Sequence, residues 1–285
     1  MNLLKLPSKP SECHWASGKK EVCSDEDFIK THMIDFWKSL DPEGVKRQKN
    51  IKPKDIIKKV GEKIGCDKES CILKHKDFHA HVGHHAVMEQ IKKNIKPCGP
   101  ANTDDWLSDS NIDKTLEQWK DKFPGFLHIY FQMRDFQMNK TSLATIDFAR
   151  EYERGMRNFG VVINTDYSTG PGIHWFALFG DFTTHGTPND PFTLEYFNSS
   201  GNPPLNEIAI WLKKTKHELR KKLNKSVEDI IVTRMEHQQS DTECGVYSLF
   251  YIFARLNGIP HKYFKRNRIP DEDMYELRKH LFVSC

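Results

Sequence analysis

Four residue types fall in an order that could support nucleophilic catalysis. Cys244 opens the nearly all-apolar run Cys244–Leu256, directly after the polar stretch Gln238-Gln239-Ser240-Asp241-Thr242-Glu243. That pattern predicts a buried helix behind a loop. A thiol at a helix N-terminus feels the positive end of the dipole, which is expected to lower its pKa toward the attacking thiolate. The next residue, Gly245, lets the backbone come close to a substrate carbonyl. His174 begins the strand-like run His174-Trp175-Phe176-Ala177-Leu178-Phe179, where an imidazole could act as general base. Asn198 follows the run Leu194-Glu195-Tyr196-Phe197. Its side-chain carbonyl can accept from an imidazole N–H and hold the ring's tautomer. Gln238 precedes Cys244 by six residues. Its amide could meet an oxyanion together with the Cys244 backbone N–H, and Gln239 competes for that role. Each has a plain alternative: a small core cysteine, a satisfied surface histidine, a turn asparagine. His185, in the stretch Thr183–Pro191, is a minor rival for the base.

The elements that must hold these residues are legible from periodicity. Strand-like runs lie at Leu127–Gln132, Phe159–Ile163, His174–Phe179, Phe192–Phe197 and Ile230–Met235, bounded by Gly, Pro, Asn or Asp. Alternation puts His174, Phe176 and Leu178 on one face, and Trp175, Ala177 and Phe179 on the other. Helical runs interleave at Leu205–Leu223 and Cys244–Leu256, so this part reads as an α+β domain. Upstream, Ser110 is expected to cap a helix with Ile112, Leu116, Trp119 and Phe123 on one face. Ile95-Lys96-Pro97-Cys98-Gly99-Pro100 cannot continue a helix and marks a domain joint. Before it lie a loosely ordered start over residues 1–23, and a helix begun by Ser24 and Asp27. That helix carries Ile29, Met33, Phe36, Trp37 and Leu40 on one face and stops at Pro42. The expected division is a mainly helical arm, 1–102, and a core domain, 103–285.

Charge follows the same division. The net charge is +4, with residues 1–102 at +6 and the remainder at −2. The basic stretch 46–63 holds Lys46, Arg47, Lys49, Lys52, Lys54, Lys58, Lys59 and Lys63, with Ile56, Ile57, Val60 and Ile64 on one helical face. A solvated helix is its plain reading, and a non-specific nucleic-acid or polyanion contact the alternative. Cys66, Cys71, His75 and His79 have a spacing that could wrap a tetrahedral zinc, although it is not that of a standard finger. A histidine-rich surface segment is the alternative. No run reaches the about 18 apolar residues of a membrane helix, and the start lacks the apolar stretch of a secretory signal. The seven cysteines therefore read as free thiols in a reducing compartment.

His174-Trp175, then Glu195-Tyr196-Phe197-Asn198-Ser199, then Gln238 with Cys244-Gly245 resembles the ubiquitin-like-protein protease superfamily, which includes SUMO-deconjugating cysteine proteases and the adenovirus maturation protease. The order His, Asn, Cys reverses that of papain. Cys66-Asp67-Lys68-Glu69-Ser70-Cys71, Asn111-Ile112-Asp113, Thr242-Glu243-Cys244-Gly245, Tyr247–Ile252 and Asp271-Glu272-Asp273-Met274-Tyr275 are most similar to polyprotein-processing proteases of the African swine fever virus type. The resemblance implies a ubiquitin-like-protease fold and a cysteine endopeptidase without cofactor. It makes Cys244 the nucleophile, His174 the base, Asn198 its orienting partner and Gln238, in preference to Gln239, the oxyanion donor. Trp175 would shape a narrow channel, which suits cleavage after Gly-Gly in viral polyproteins, in the host cytoplasm and the virion. Two departures stand out. Most cellular members carry Asp where this chain has Asn198, and the His174-to-Asn198 interval is long, with Thr183–Pro191 as a lid or an insertion.

Two alternatives stand beside this reading. One is deconjugation of SUMO or another ubiquitin-like modifier. The other is a nucleic-acid-binding scaffold with a degenerate protease fold, against which the intact catalytic set speaks.

Overall fold

Helices of a few turns have no stability of their own in water and persist only where an apolar stripe is buried. The first hundred residues are built this way. The structure, a computed structural model, describes residues 3, 9–14, 17–19, 21–47, 50–233 and 235–284. Its first helices are Glu26–Phe28 (α1), a π-turn over Ile29–Met33, and Ile34–Leu40 (α2). Pro42–Lys46 (α3), Pro53–Ile64 (α4), Glu69–Lys74 (α5), Lys76–Val82 (α6) and His84–Asn94 (α7) follow. Their apolar residues make one core, in which Ile29, Met33, Val60, Ile72, Leu73, Phe78 and Val87 are fully buried. Of the expected α1–α2 face, Leu40 alone stays 41% exposed. The Ser24–Asp27 start is not used: Asp25 holds the N-cap position, and its carboxylate is taken by Lys19 and Lys93.

In the basic stretch, Ile56 and Val60 are buried and Ile57 and Ile64 pack beside them. Lys46, Lys54, Lys59 and Lys63 pair with Glu43, Glu21, Glu62 and Asp41. Lys49 lies outside the described residues. The described part of the chain start is paired rather than loose. His14 N–H donates to the Asn94 carbonyl at 2.8 Å, and Lys96 N–H to the Glu12 carbonyl at 2.9 Å.

The expectation of free thiols is overturned. Cys13 is bonded to Cys23 and Cys66 to Cys71, and Cys98 is also in a disulfide. Ser17 N–H donates to the His14 carbonyl, and the Cys13 and Cys23 Cα atoms lie 4.8 Å apart. Gly65, in the left-handed region, ends α4 and brings those of Cys66 and Cys71 to 5.5 Å. Compartment arguments speak of location; these pairings follow from local chain reversals. The candidate zinc set falls with them, because both of its thiols are consumed. His75 instead caps α6 by accepting from Asp77 N–H, and His79 Nδ1 lies 3.2 Å from His84 Nδ1. Among the described residues no group of His, Cys, Asp and Glu gathers as a metal site, and no helix is long and apolar enough to cross a membrane.

The chain divides into two compact units. One holds Leu6–Ala101 with Lys279–Cys285, the other Asn102–Arg278 with Met1–Lys5. The division thus differs from the expected one at both chain ends, and at the C-terminal one Lys96 Nζ donates to the Lys279 carbonyl and Cys98 forms a β-bridge with Val283 within the helical unit.

The second unit starts with Asp109–Lys122 (α8). Its cap is Ser108 rather than Ser110: Ser108 Oγ accepts from Asn111 N–H while Asn111 Oδ1 accepts from Ser108 N–H. A mixed sheet follows, of Phe126–His128 (β1), Gln132–Met133 (β2), Asn158–Asn164 (β3), Trp175–Asp181 (β4), Phe192–Phe197 (β5) and Val227–Val232 (β6). β1 and β2 both pair parallel to β3, the β3–β4–β5 run is antiparallel, and β5 pairs parallel to β6. The last pairing needs a crossover, which Asn206–Leu223 (α11) supplies; Ser142–Thr145 (α9) and Phe148–Glu153 (α10) precede it. Trp211 of α11 packs with Phe136, Phe148 and Phe159 against one face of the sheet. Cys244–Leu256 (α12), buried from Cys244 through Ala254, covers the other, with Tyr251 stacked on Phe197 at 4.4 Å. Both faces are therefore covered, and β4 is buried from Trp175 through Gly180, as a strand between two layers must be. His261–Arg266 (α13) and Asp271–Leu281 (α14) complete the chain.

Candidate active site

His174 sits one residue before β4, at the tip of the β3–β4 connection, and polar side chains of that connection hold it. Asn164, at the end of β3, accepts from Asp166 and Ile173 N–H through Oδ1; Asp166 accepts from Gly172 N–H at 3.0 Å. Gly172 has φ +95°, and a Cβ there would meet Asn164 at 3.1 Å, so the approach to His174 requires glycine. The His174 carbonyl accepts from Thr165 N–H. The backbone that carries the imidazole is thus fixed on both sides.

The β4–β5 register pairs Ala177 with Phe197. Continued past the strand ends, it brings His174 opposite the turn after β5. There His174 Nε2 lies 2.8 Å from Asn198 Oδ1 and 3.1 Å from Ser200 Oγ. Asn198 is 2% exposed and donates through Nδ2 to the Tyr196 hydroxyl at 3.0 Å. The same turn grips the loop before Cys244. The Ser199 carbonyl accepts from His237 and Gln238 N–H, and Ser199 Oγ donates to Gln238 Oε1 at 2.7 Å. Gln238 is buried, and its Nε2 donates to the Ser240 carbonyl at 2.7 Å. Gln239 is exposed, and its backbone N–H is held by Asp271. Of the two glutamines, Gln238 alone is tied to the Asn198 turn.

Cys244 is the first residue of α12 and is 1% exposed. The backbone N–H groups of Trp175, Gly245 and Cys244 itself lie near its sulfur and favour the thiolate, yet burial outweighs them and pushes the thiol above its ordinary value. The expected lowering by the helix terminus is therefore not the net result: desolvation wins over the dipole. Burial also lowers His174, against the Asn198 hydrogen bond that raises it. Both shifts favour the neutral thiol and the neutral imidazole in the resting site.

The structure brings His174, Asn198, Gln238 and Cys244 into one linked set, since the peptide N–H that meets the Cys244 sulfur belongs to Trp175, His174's neighbour. Trp175 is buried, and its indole N–H donates to the Leu107 carbonyl at 3.1 Å. A Cβ on Gly245 would meet the Leu107 side chain at 3.0 Å, so glycine here also admits the segment before α8. Thr183–Pro191 follows the far end of β4, a strand of seven residues, and so lies about 20 Å along the sheet from His174. At that distance it does not cover His174. His185 within it is exposed and pairs with Asp190.

Sequence reading gave Tyr196 and Ser199 no role within their motif, and it missed Ser200 and Leu107, and also Arg278, which pairs with Glu243, the residue before Cys244. Both members of that pair are buried, and Arg278 Nη1 donates to the Asp105 carbonyl. Thirty-five residues separate the pair, and neither spacing nor periodicity signals it.

With the geometry in place, comparison with known proteins assigns the family. The family model described as the Ulp1 protease family, C-terminal catalytic domain, matches residues 129–285. A cysteine protease of African swine fever virus, from a Malawian tick isolate, is 35% identical, with 98% of each chain covered. A SUMO-1 cysteine protease from a South African tick isolate of that virus is 34% identical over the same share. The crystal structure of an African swine fever virus protease superposes with a TM-score of 0.76 at 31% identity, covering 99% of this chain and 98% of that one. The helical region, the mixed sheet and the buried cysteine helix are thus those of a known enzyme class, and the chain belongs to the Ulp1 family of cysteine proteases.

Proposed function

We propose that the protein is an endopeptidase that cleaves after Gly-Gly in viral polyproteins through Cys244, His174 and Asn198. The observation that carries this reading is the His174 imidazole held by Asn198 at 2.8 Å, on the residue next to Trp175, whose backbone N–H faces the Cys244 thiol. With Nε2–H donating to Asn198, Nδ1 holds the lone pair. Nδ1 takes the Cys244 proton as the sulfur attacks the carbonyl carbon of the second glycine. Charge on the carbonyl oxygen is met by Cys244 N–H and by the Gln238 Nε2 hydrogen not committed to Ser240. The imidazolium then gives its proton to the leaving amine as the C–N bond breaks, and a thioester remains. Nδ1 next takes a proton from water, whose oxygen attacks the thioester; the sulfur leaves and regains its proton from His174. Trp175, locked by its bond to Leu107, walls the channel, and glycines pass where side chains would clash.

Relatives from African swine fever virus support a viral polyprotein as substrate, met in the host cytoplasm and the virion. The name of one relative, a SUMO-1 cysteine protease, keeps modifier deconjugation as the second reading. Nucleic-acid contact through 46–63 has less behind it, because four of its lysines already face carboxylates. The test is cleavage of a Gly-Gly-X peptide by wild type and by Cys244→Ala. The variant is expected to lose activity by about 10⁴-fold or more, and undiminished cleavage rules the reading out. Cleavage of a SUMO fusion, with viral Gly-Gly-X sites left intact, would select the second reading.

A further inference from the structure

We propose that the Tyr196 hydroxyl is a positioning group for this protease: it fixes which way the Asn198 amide faces, and so which nitrogen of His174 carries the proton. The inference rests on the Cys244–His174–Asn198 reading above and deepens it. An asparagine amide has two ends of nearly equal shape. With Oδ1 toward His174, Nε2 must donate and Nδ1 keeps the lone pair that takes a thiol proton. With the amide reversed, its NH2 would face Nε2. Nε2 would then accept, Nδ1 would carry the hydrogen, and the base would be gone. An aspartate has acceptors at both ends and cannot fail in this way. A chain that carries asparagine at this place needs a separate determinant.

Tyr196 supplies one, anchored in groups of fixed polarity. The carbonyl oxygens of Asn202 and Pro203, which can only accept, each lie 3.3 Å from the Tyr196 hydroxyl. The hydroxyl therefore donates to them and turns a lone pair to Asn198, whose Nδ2 donates at 3.0 Å. Ser200 N–H, also of fixed polarity, donates to Oδ1 at 3.0 Å from the other side. Tyr196 and Asn198 are 1% and 2% exposed, so water does not stand in for the hydroxyl. Burial pushes the Tyr196 hydroxyl up to about 12, which keeps its proton in place throughout the working range. Alternation along β5 and the turn behind it sets Tyr196 and Asn198 on the same side, two residues apart. The Tyr196 ring packs on Phe176 at 5.1 Å between centroids, so a phenylalanine can keep the packing while losing the hydroxyl.

The experiment measures the His174 tautomer by 15N NMR in the resting full-length protein, together with kcat and KM on a Gly-Gly-X peptide. Wild type is expected to show the Nε2–H tautomer. Tyr196→Phe is expected to show a mixture, with kcat reduced about tenfold, the size of one neutral hydrogen bond, and KM within about twofold of wild type. In an Asn198→Asp background there is no wrong face to exclude. There Tyr196→Phe is expected to leave the Nε2–H tautomer in place and to change kcat by less than about twofold. An unshifted tautomer in Tyr196→Phe overturns the proposal, and so does an equal loss of kcat in the aspartate background, which would mark a merely structural role. If the single variant does not fold, Asn198→Asp with and without Tyr196→Phe carries the test on the same terms. The tautomer is read without turnover, so its failure tells against Tyr196 alone. Undiminished cleavage by Cys244→Ala tells against the catalytic reading.

Discussion

At the residue scale, Cys244, His174, Asn198 and Gln238 are the proposed reacting groups, and burial shifts the ionisation of the thiol and the imidazole among them. Cys244, His174, Asn198 and Gln238 stand out because type, order and local context agree. The net direction of the Cys244 shift depends on how completely α12 and the sheet exclude water, a tertiary quantity that no local pattern carries. Burial raises the thiol from 9.0 and lowers the imidazole from 6.5. In the proposed mechanism the active resting form, neutral thiol with neutral imidazole, is lost when His174 gains a proton or Cys244 loses one. Because the folded-state His174 value lies below the ordinary one, acidification to pH 6.5 leaves most of the base free, and activity falls only at lower pH. Because the thiol lies above its ordinary value, the alkaline change comes above pH 9. A plot of kcat/KM against pH is therefore expected to show an acid limb centred below pH 6.5 and an alkaline limb centred above pH 9. An acid limb centred above pH 6.5 would show that burial does not dominate His174.

At the element scale, α12 and β5 were readable nearly to the residue, since one is apolar throughout and the other is a short β-rich run between Pro191 and a loop. Less was visible of what holds the α12 N-terminus in place. Glu243, fully buried just before Cys244, carries a carboxyl that burial pushes up and Arg278 pulls down. Arg278 spans Glu243, the Thr242 carbonyl and the Asp105 carbonyl. These contacts tie the N-terminus of α12 to the segment that ends in Leu107. Removing one member of such a pair strands the other in a site without water. Arg278→Met is expected to cost about 3–5 kcal/mol of stability by denaturant unfolding. The double change Glu243→Gln with Arg278→Met is expected to recover part of it, because no buried charge is left. Equal losses in both would show that the guanidinium's carbonyl contacts, not its charge partner, hold the helix. The caps show the same limit on a smaller scale. Ser108 works through an asparagine three residues on, and Ser24 lies buried without the cap role its spacing suggested, since Asp25 is drawn to Lys19 and Lys93 instead.

At the scale of the whole molecule, the α+β class followed from runs of period two interleaved with runs of period 3.6, and the helical character of the first hundred residues from their apolar stripes. The destination of the last residues did not follow, because Lys279–Cys285 join the helical unit through the Lys96 side chain and backbone bonds at Pro97 and Gly99 that leave no mark in composition. Nor did the cysteine pairing. The charge asymmetry was legible, but its meaning was not, since Lys54 and Lys63 find carboxylates far away in sequence. One cysteine, Cys244, is a free buried thiol among the described residues, and that contrast makes the central claim directly measurable. A peptide ending in Gly-Gly and bearing a thiol-reactive vinyl ester in place of the scissile carbonyl is incubated with the full chain without reductant, and the adduct is located by peptide mass spectrometry. The account predicts one adduct, on Cys244, abolished by His174→Ala. Loss of proteolysis without modification of Cys244, or an adduct carried by any other residue, would contradict it.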